Sequence, residues 1–322
     1  MPTRAPSIAA RRALAEDPTV DPVGALTRLP TLGVGLSLSF GVEPDPVALA
    51  ARPGGPSFIE YAGAVQHQAY AAQVSRLHAL GVPVLYHPSC LNLCGPWPNP
   101  PSWLAAVDAH LRAVDSAWLA QDVAVCFVGE HGGYSIDLGW FVPPVLDPEG
   151  LELAIQRVQE VQAVVGRPLL LEPAPVTFQV GSMDPFTWLG RLAAQTGCGV
   201  LLDAGHVLSH QLARGEVDLL AGIEAVGLDR VIEVHVAGGV IEGPARGPRR
   251  YLDAHDLPIL PETWKLFEGL LERCPNLRAV CLECEGAAGH TVLPVLRRVR
   301  EVVAARAANP DLRARALQEL SP

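Results

Sequence analysis

Eight short, near-continuous apolar runs recur along the chain: Gly33–Leu38, Phe58–Tyr61, Val82–Tyr86, Val123–Val128, Pro168–Leu171, Val200–Leu202, Val231–Val234 and Ala279–Leu282. Runs that stay apolar without alternation are what strands buried on both faces require. Between most of them lie segments with helical spacing: Ala64–Leu80, Ser102–Leu119, Leu151–Val165, Pro185–Thr196 and Pro261–Arg273. Strand and helix alternating eight times predict an α/β chain closed into a single-domain (β/α)8, TIM-like barrel. An open doubly wound sheet is the competing arrangement. It needs no particular strand count, and no G-x-G-x-x-G follows the first run. The barrel is expected over residues 31–307, after an Ala-, Arg- and Pro-rich arm (1–30) and before a C-terminal tail (308–322).

Composition narrows the partners. The net charge of −10 does not suit phosphate-backbone binding, so no nucleic-acid partner is expected. Lys265 is the only lysine, which argues against Schiff-base chemistry. Seven scattered cysteines, several inside apolar runs, read as reduced thiols in a cytoplasmic protein. No apolar segment is long enough to span a membrane, and the arginines of Met1–Leu14 lack the apolar core of a signal peptide. Gly243–Arg250 carries three arginines among glycines and prolines. It is expected to be a mobile solvated loop, or else a lid or anchor for an acidic substrate.

The polar residues that end the runs carry the chemistry. Run three leads into His87, run four into Glu130 and His131, and run five into Glu172. Run six leads into Asp203 and His206, and run seven into His235 with Asp253 and His255 beyond; run eight ends at Glu283. In a parallel barrel these ends open on one face, where active sites sit. Neutral imidazoles and carboxylates together are ligands for zinc, iron or manganese. Setting Glu130 aside, the nine candidates exceed what one ion needs at about four to six ligands per ion. They suit two or three ions with a bridging carboxylate, for which Glu172 on the middle strand is placed. Glu130 and Glu285 are candidates for orienting histidines or transferring protons. Other constellations explain less. No G-x-S-x-G elbow accompanies a Ser/His/Asp triad. Cys90 and Cys94 read as an ordinary loop pair. A glycosidase pair of Glu172 and Glu283 leaves five histidines without a role.

The stretches VLYHPSCLNL, VGEHGGY, VQEVQAVVGRPLLLEP, TGCGVLLDAGHV, EVHVAGG, LDAHDLPI and CLECEG run in order between Leu32 and Val303. Together they resemble the multinuclear non-heme iron-dependent oxidative enzymes, which modify ribosomally made peptides. The resemblance implies a TIM-like barrel related to xylose isomerase and endonuclease IV. It implies two or three iron ions: one held by His87, His131 and Glu172, a second by Glu172, Asp203, His235 and Glu283, and a third by His206, Asp253 and His255. It further implies O2-dependent oxidation of a peptide, at cysteine or another side chain, with a partner protein that binds the peptide's leader.

The chain departs from that family's pattern at five places. GLSLSF lacks the usual basic or His residue of the first strand, and IEYAGAV keeps only Glu60 of the second-strand motif. Pro173 replaces an Asn, His206 replaces an Asn, and Gly239 replaces a His. Two further readings stand beside the oxidative one. The first is a zinc or manganese hydrolase or sugar isomerase/epimerase on the same barrel. The second is a non-catalytic metal barrel that binds a peptide or partner.

Overall fold

The computed structural model describes residues 22–63, 65, 67–131, 134–244 and 249–307, without the side chains of 22, 129–131, 134–137, 139, 140 and 307. The arm before residue 22, the tail after 307 and the tip 245–248 of the arginine-bearing loop lie outside the described residues. Eight parallel strands form the barrel: β1 Gly33–Ser37, β2 Ile59–Tyr61, β3 Val84–Tyr86, β4 Leu119–Val123, β5 Leu169–Pro173, β6 Gly199–Asp203, β7 Val231–Glu242 and β8 Ala279–Glu283. Each pairs with its neighbours in chain order, and β8 pairs back to β1, which closes the sheet. The expected (β/α)8 barrel is therefore the observed fold.

Three of the helices between strands begin with the same device. Asp45, Asp147 and Asp184 cap helices Pro46–Ala50, Pro148–Gln162 and Pro185–Thr196, each accepting from a backbone N–H of the first turn. The following proline supplies a helical φ where no N–H partner is available. Helices Pro185–Thr196 and Pro261–Arg273 match their expected spans. The helix expected over Ser102–Leu119 instead covers Pro101–Ala113, because the next strand already begins at Leu119.

Two boundaries differ in ways that matter for the site. The fourth barrel strand is Leu119–Val123, not Val123–Val128. Leu119 pairs with Leu169 and Asp122 with Glu172. The more apolar stretch Val125–His131 leaves the barrel and pairs antiparallel with Tyr134–Val142. Gln121 and Asp122 made Leu119–Val123 look too polar for a buried strand, yet polar groups are accommodated where a strand ends at the barrel mouth. Secondly, Asp253 and His255 lie on a strand, Arg250–Asp256, that hairpins onto the extended end of β7.

Inside the barrel the pleat separates two layers. Phe58, Leu85, Ala120, Leu170, Leu201 and Cys281 belong to one buried apolar cluster together with Leu26 and Trp118. Two residues further along each strand stand Glu60, His87, Asp122, Glu172, Asp203 and Glu283. Residues i and i+2 share a face, so the apolar cluster plugs the barrel and the polar set lies above it at the mouth. Gly35 makes room in the plug, since a Cβ there would sit 2.6 Å from the Phe58 ring. A larger apolar cluster fills the space between strands and helices.

Candidate metal centre

The polar layer is an alternating series of imidazoles and carboxylates. His87 Nε2 is 2.8 Å from Glu172 Oε2, and Glu172 Oε1 is 3.0 Å from His206 Nδ1. His206 Nε2 is 3.1 Å from Asp253 Oδ2, and the same oxygen is 2.9 Å from His255 Nε2. His255 Nε2 lies 3.5 Å from Glu283 Oε2, and Glu283 Oε1 lies 3.2 Å from His235 Nδ1. His235 Nε2 faces Glu60 Oε1 at 3.2 Å and Glu233 Oε1 at 3.6 Å. Among the described residues, three sets of donor atoms fall within 4.8 Å of one another: His87, Asp122 and Glu172; Asp203, His235 and Glu283; and Glu60, His235 and Cys281.

Supporting contacts aim these donors. His87 Nδ1 is 2.9 Å from the Ala120 carbonyl. As a donor there, it leaves Nε2 with a lone pair directed at the site. His206 Nδ1 is 3.0 Å from the Pro173 carbonyl, which leaves Nε2 facing Asp253. Asp203 Oδ1 accepts from His206 N as the cap of helix Ala204–Arg214, while Oδ2 stays free. Glu285 accepts from Ser37 Oγ and lies 3.0 Å from His255 Nδ1. His255 has φ +48°, a conformation non-glycine residues rarely adopt, and Gly286 N donates to its carbonyl.

The electrostatics of this layer call for cations. Glu60, Asp122, Glu172, Asp203, Glu233 and Glu283 are all buried. The ion-pair partners of Glu60, Asp122, Glu172, Asp203, Glu233 and Glu283 among the described residues are imidazoles. Several oxygens have no hydrogen-bond donor, namely both of Glu60 and one each of Asp122, Asp203, Glu233 and Glu283. Buried charge without a partner is costly, and ion ligation is one way to compensate it. Without ions the site holds protons instead. Burial, with the charge of Glu233, pushes Glu60 up to about 8. Burial, with Glu172, raises Asp122 to about 6. Burial raises Asp203 to about 7, against the pull of His206. Burial opposes charge on His87, but the hydrogen bond and charge of Glu172 outweigh it and raise His87 to about 10.

Of the sequence-derived residues, His87, Glu172, Asp203, His206, His235, Asp253, His255, Glu283 and Glu285 all join this network. Glu130 and His131 lie on the antiparallel Val125–His131 strand, and their side chains fall outside the described residues. At the end of β4, where His131 was expected, stands Asp122. The sequence reading missed it, and it also left out Glu233, Cys281 and, as a site residue, Glu60. One signal would have found Asp122 and Glu60: each follows an inward apolar residue by two positions, as Glu172 follows Leu170. Cys90 and Cys94, like the other cysteines, form no disulfide. The backbone N–H groups of Cys90 and Leu91 donate to Gln121 Oε1, tying the loop after β3 to β4.

Comparisons with known proteins fall on the same part of the chain. Residues 34–307 match the family model of the RiPP precursor modification enzyme MbnB/TglH/ChrH. A UPF0276 protein of Rhizobium meliloti (strain 1021) is 29% identical over 196 residues, covering 60% of this chain and 61% of its own. A UPF0276 protein of Anaeromyxobacter sp. (strain Fw109-5) is 30% identical over 195 residues, covering 60% of this chain and 65% of its own. The matches thus span about three fifths of those curated relatives. Among solved structures, an L-ribulose 3-epimerase aligns with TM-score 0.53 at 11% identity, over 91% of this chain and 99% of that one. D-allulose 3-epimerase from Methylomonas sp. aligns with TM-score 0.52 at 14% identity, over 91% and 97%. At such identities these two likenesses speak for the barrel alone. No helix among the described residues is long and apolar enough to cross a membrane.

Proposed function

This chain belongs to the RiPP precursor modification family MbnB/TglH/ChrH, the multinuclear non-heme iron-dependent oxidative enzymes, and on that premise we propose that it is an O2-using iron enzyme that oxidises a side chain of a ribosomally made peptide. The observation that carries the proposal is the layer of buried carboxylates whose only ion-pair partners among the described residues are histidines, with acceptor oxygens left over. Two or three divalent cations would compensate that charge.

In this reading His87, Asp122 and Glu172 hold one ion. Glu172, Asp203, His235 and Glu283 hold a second, and His206, Asp253 and His255 hold a third. When bound, iron supplies one-electron chemistry toward O2 and an open coordination position for a substrate atom. The protein's own groups do the rest. The Ala120 and Pro173 carbonyls fix the His87 and His206 rings, and Glu285 fixes His255. The plug of Phe58, Leu85, Leu170 and Leu201 closes the barrel below the site and excludes water from that side. His255, Asp253 and Glu285 are 30%, 14% and 24% exposed, whereas Glu172 is 1% exposed. A peptide would therefore approach across His255 and Glu285, and Glu285 is placed to take or return a proton there. A leader-binding partner protein would hold the rest of the peptide.

The test is metal analysis of protein purified without added metal, followed by oxygen uptake with short cysteine-containing peptides. Two or three irons per chain and oxygen consumption are expected. Zinc alone with hydrolytic turnover would refute the oxidative reading, as would less than one ion per chain after iron-replete anaerobic preparation.

A further inference from the structure

On the other face of β2 and β3, behind the polar layer, lies a buried aromatic cluster with no part in ligation. Tyr61 follows Glu60, and Tyr86 precedes His87. Successive side chains of a strand point to opposite faces, so both rings turn away from the mouth. They enter the apolar space under helices His67–Ala79 and Pro101–Ala113, where they meet His110 of the second helix. Tyr61, Tyr86 and His110 are all fully buried. The Tyr86 ring stacks on the His110 imidazole with centroids 4.1 Å apart and lies 5.2 Å from the Tyr61 ring. Tyr61 in turn lies 5.6 Å from the ring of Tyr70, which is only partly buried. On the side of the site, Glu60 faces His235 Nε2 at 3.2 Å and is joined to Tyr61 by one peptide bond. An unbroken series of contacts thus runs from the metal centre to a ring that solvent reaches.

The hydroxyls of this cluster are not alike. Tyr61 Oη is hydrogen-bonded to His110 Nε2, whereas Tyr86 Oη donates to the Gly63 carbonyl at 2.9 Å. His110 Nδ1 is buried and has no hydrogen-bond partner among the described residues. A proton on Nε2 of the neutral ring would strand both the Tyr61 hydroxyl hydrogen and the Nδ1 lone pair. With Tyr61 as donor only Nδ1–H is stranded, so Tyr61 donates and Nε2 accepts. Burial, with His67 beside it, lowers His110 to about 4, which keeps the ring neutral.

A phenol that loses an electron becomes a strong acid, so a buried tyrosine is readily oxidised only where a base can take its proton. A neutral imidazole is such a base and a peptide carbonyl is not, which singles out Tyr61 over Tyr86. Resting on the iron-enzyme reading above, we propose that Tyr61 and His110 form a redox-active pair that drains oxidising equivalents from the metal centre when O2 is consumed without peptide. One electron passes from Tyr61 to the one-electron oxidant that O2 leaves at the centre, and the Oη proton passes to His110 Nε2. The products are a neutral phenoxyl radical and an imidazolium. Tyr70 supplies the next electron and loses its proton to water, while Tyr61 recovers its own proton from His110. A thiol or ascorbate in solution then returns one electron and one proton to Tyr70 at the surface.

The test is electron paramagnetic resonance of the full-length, iron-loaded protein, mixed with O2 in the absence of peptide and freeze-quenched over a range of times. An organic radical is expected, assigned to tyrosine by the change in its splitting when ring-deuterated tyrosine is incorporated. Tyr61→Phe should lose the signal. His110→Gln leaves Tyr61 a hydrogen-bond acceptor that cannot take its proton, and it should lose the signal too. Tyr86→Phe should keep it. With the drain removed, mass spectrometry of Tyr61→Phe should find oxygen inserted several-fold faster into the segments that carry His87 and His255. O2 consumption with no tyrosyl radical at any time, or a radical that survives both Tyr61→Phe and His110→Gln, overturns the proposal. Absence of O2 consumption overturns the iron reading instead. The pair is then tested in metal-free protein with a photogenerated tris(bipyridine)ruthenium(III) oxidant, where a tyrosyl yield lowered by neither variant overturns it as well.

Discussion

Glu172 Oε2 lies 2.8 Å from His87 Nε2 across the barrel mouth. Its second oxygen faces the opposite way, 3.0 Å from His206 Nδ1. A carboxylate so placed, on the middle strand and 1% exposed, can serve ions on both sides. Glu172→Ala should therefore lose two ions together and abolish oxygen uptake, while the fold survives on the remainder of the barrel core. Metal analysis beside circular dichroism checks this. Loss of a single ion would mean that Glu172 serves one side only.

Metal-free protein should become less stable as pH rises above mild acidity. Glu60, Asp203 and Asp122 have folded-state values of about 8, 7 and 6, each above its ordinary carboxylate value. Between the ordinary and the raised value the folded chain keeps a proton that the unfolded chain has released, so stability falls as pH climbs through that window. His87 acts in the same direction. Raised to about 10, it contributes fully below its ordinary 6.5, and that contribution is lost as pH rises through the folded value. Glu172 runs the other way: burial would raise it, but His206 and His87 hold it well below 4.5, so its contribution is lost only in acid. The melting temperature of metal-free protein should fall steadily from about pH 6 to pH 9. Added divalent metal should flatten or reverse the trend, because ligation takes ionised carboxylates and neutral imidazoles. A metal-free melting temperature that rises over this range would count against the protonated site.

Much of this was legible in the sequence because barrel strands announce themselves twice, by an apolar run and by the polar residue that ends it. Glu172, Asp203 and Glu283 each follow such a run directly. Asp122 was hidden for the opposite reason. Its strand, Leu119–Val123, carries Gln121 and Asp122 within five residues, and the more apolar Val125–Val128 drew the boundary away from it. Hydrophobicity locates a strand by its plug and its outer face, but a short strand with two polar residues near its end has little left to show. Asp253 and His255 were singled out as candidate ligands without their strand, since the hairpin on β7 depends on pairing with Gly238–Glu242, which local pattern does not encode.

His235 presents a different nitrogen to each side, Nδ1 to Glu283 and Nε2 to Glu60. A neutral imidazole ligates through one nitrogen and donates from the other. With Asp203 and Glu283 gathered on the Nδ1 side, Glu60 is placed to receive Nε2–H and fix the ring. Glu60→Gln keeps the shape but weakens that anchor. Affinity for the ion beside Asp203 should fall by about 10–100-fold, the usual cost of losing such a supporting carboxylate. The Asp253 ion should be unaffected. Metal titration monitored site by site decides it, and complete loss of an ion would instead make Glu60 a ligand in its own right.

Gly239, where the family carries a histidine, is occupied from the side by Tyr251. A Cβ at Gly239 would lie 2.3 Å from the phenol ring and Oη of Tyr251, and one at Gly205 would lie 2.5 Å from the same Oη. The buried ring thus wedges between β7 and helix Ala204–Arg214, two residues before Asp253 on the hairpin strand. Gly239→Ala must push the ring aside, at a cost of about 1–3 kcal/mol for overpacking. The displacement would travel along the short hairpin to Asp253 and weaken the ion held with His206 and His255, while the His87 ion stays put. Tyr251→Ala alone should also destabilise, by leaving a cavity. Combined with Gly239→Ala it should cost less than the two single changes summed, because the clash vanishes with the ring. Chemical denaturation of the two single variants and the double variant measures the coupling, and strictly additive losses would show that the alanine is accommodated without moving Tyr251.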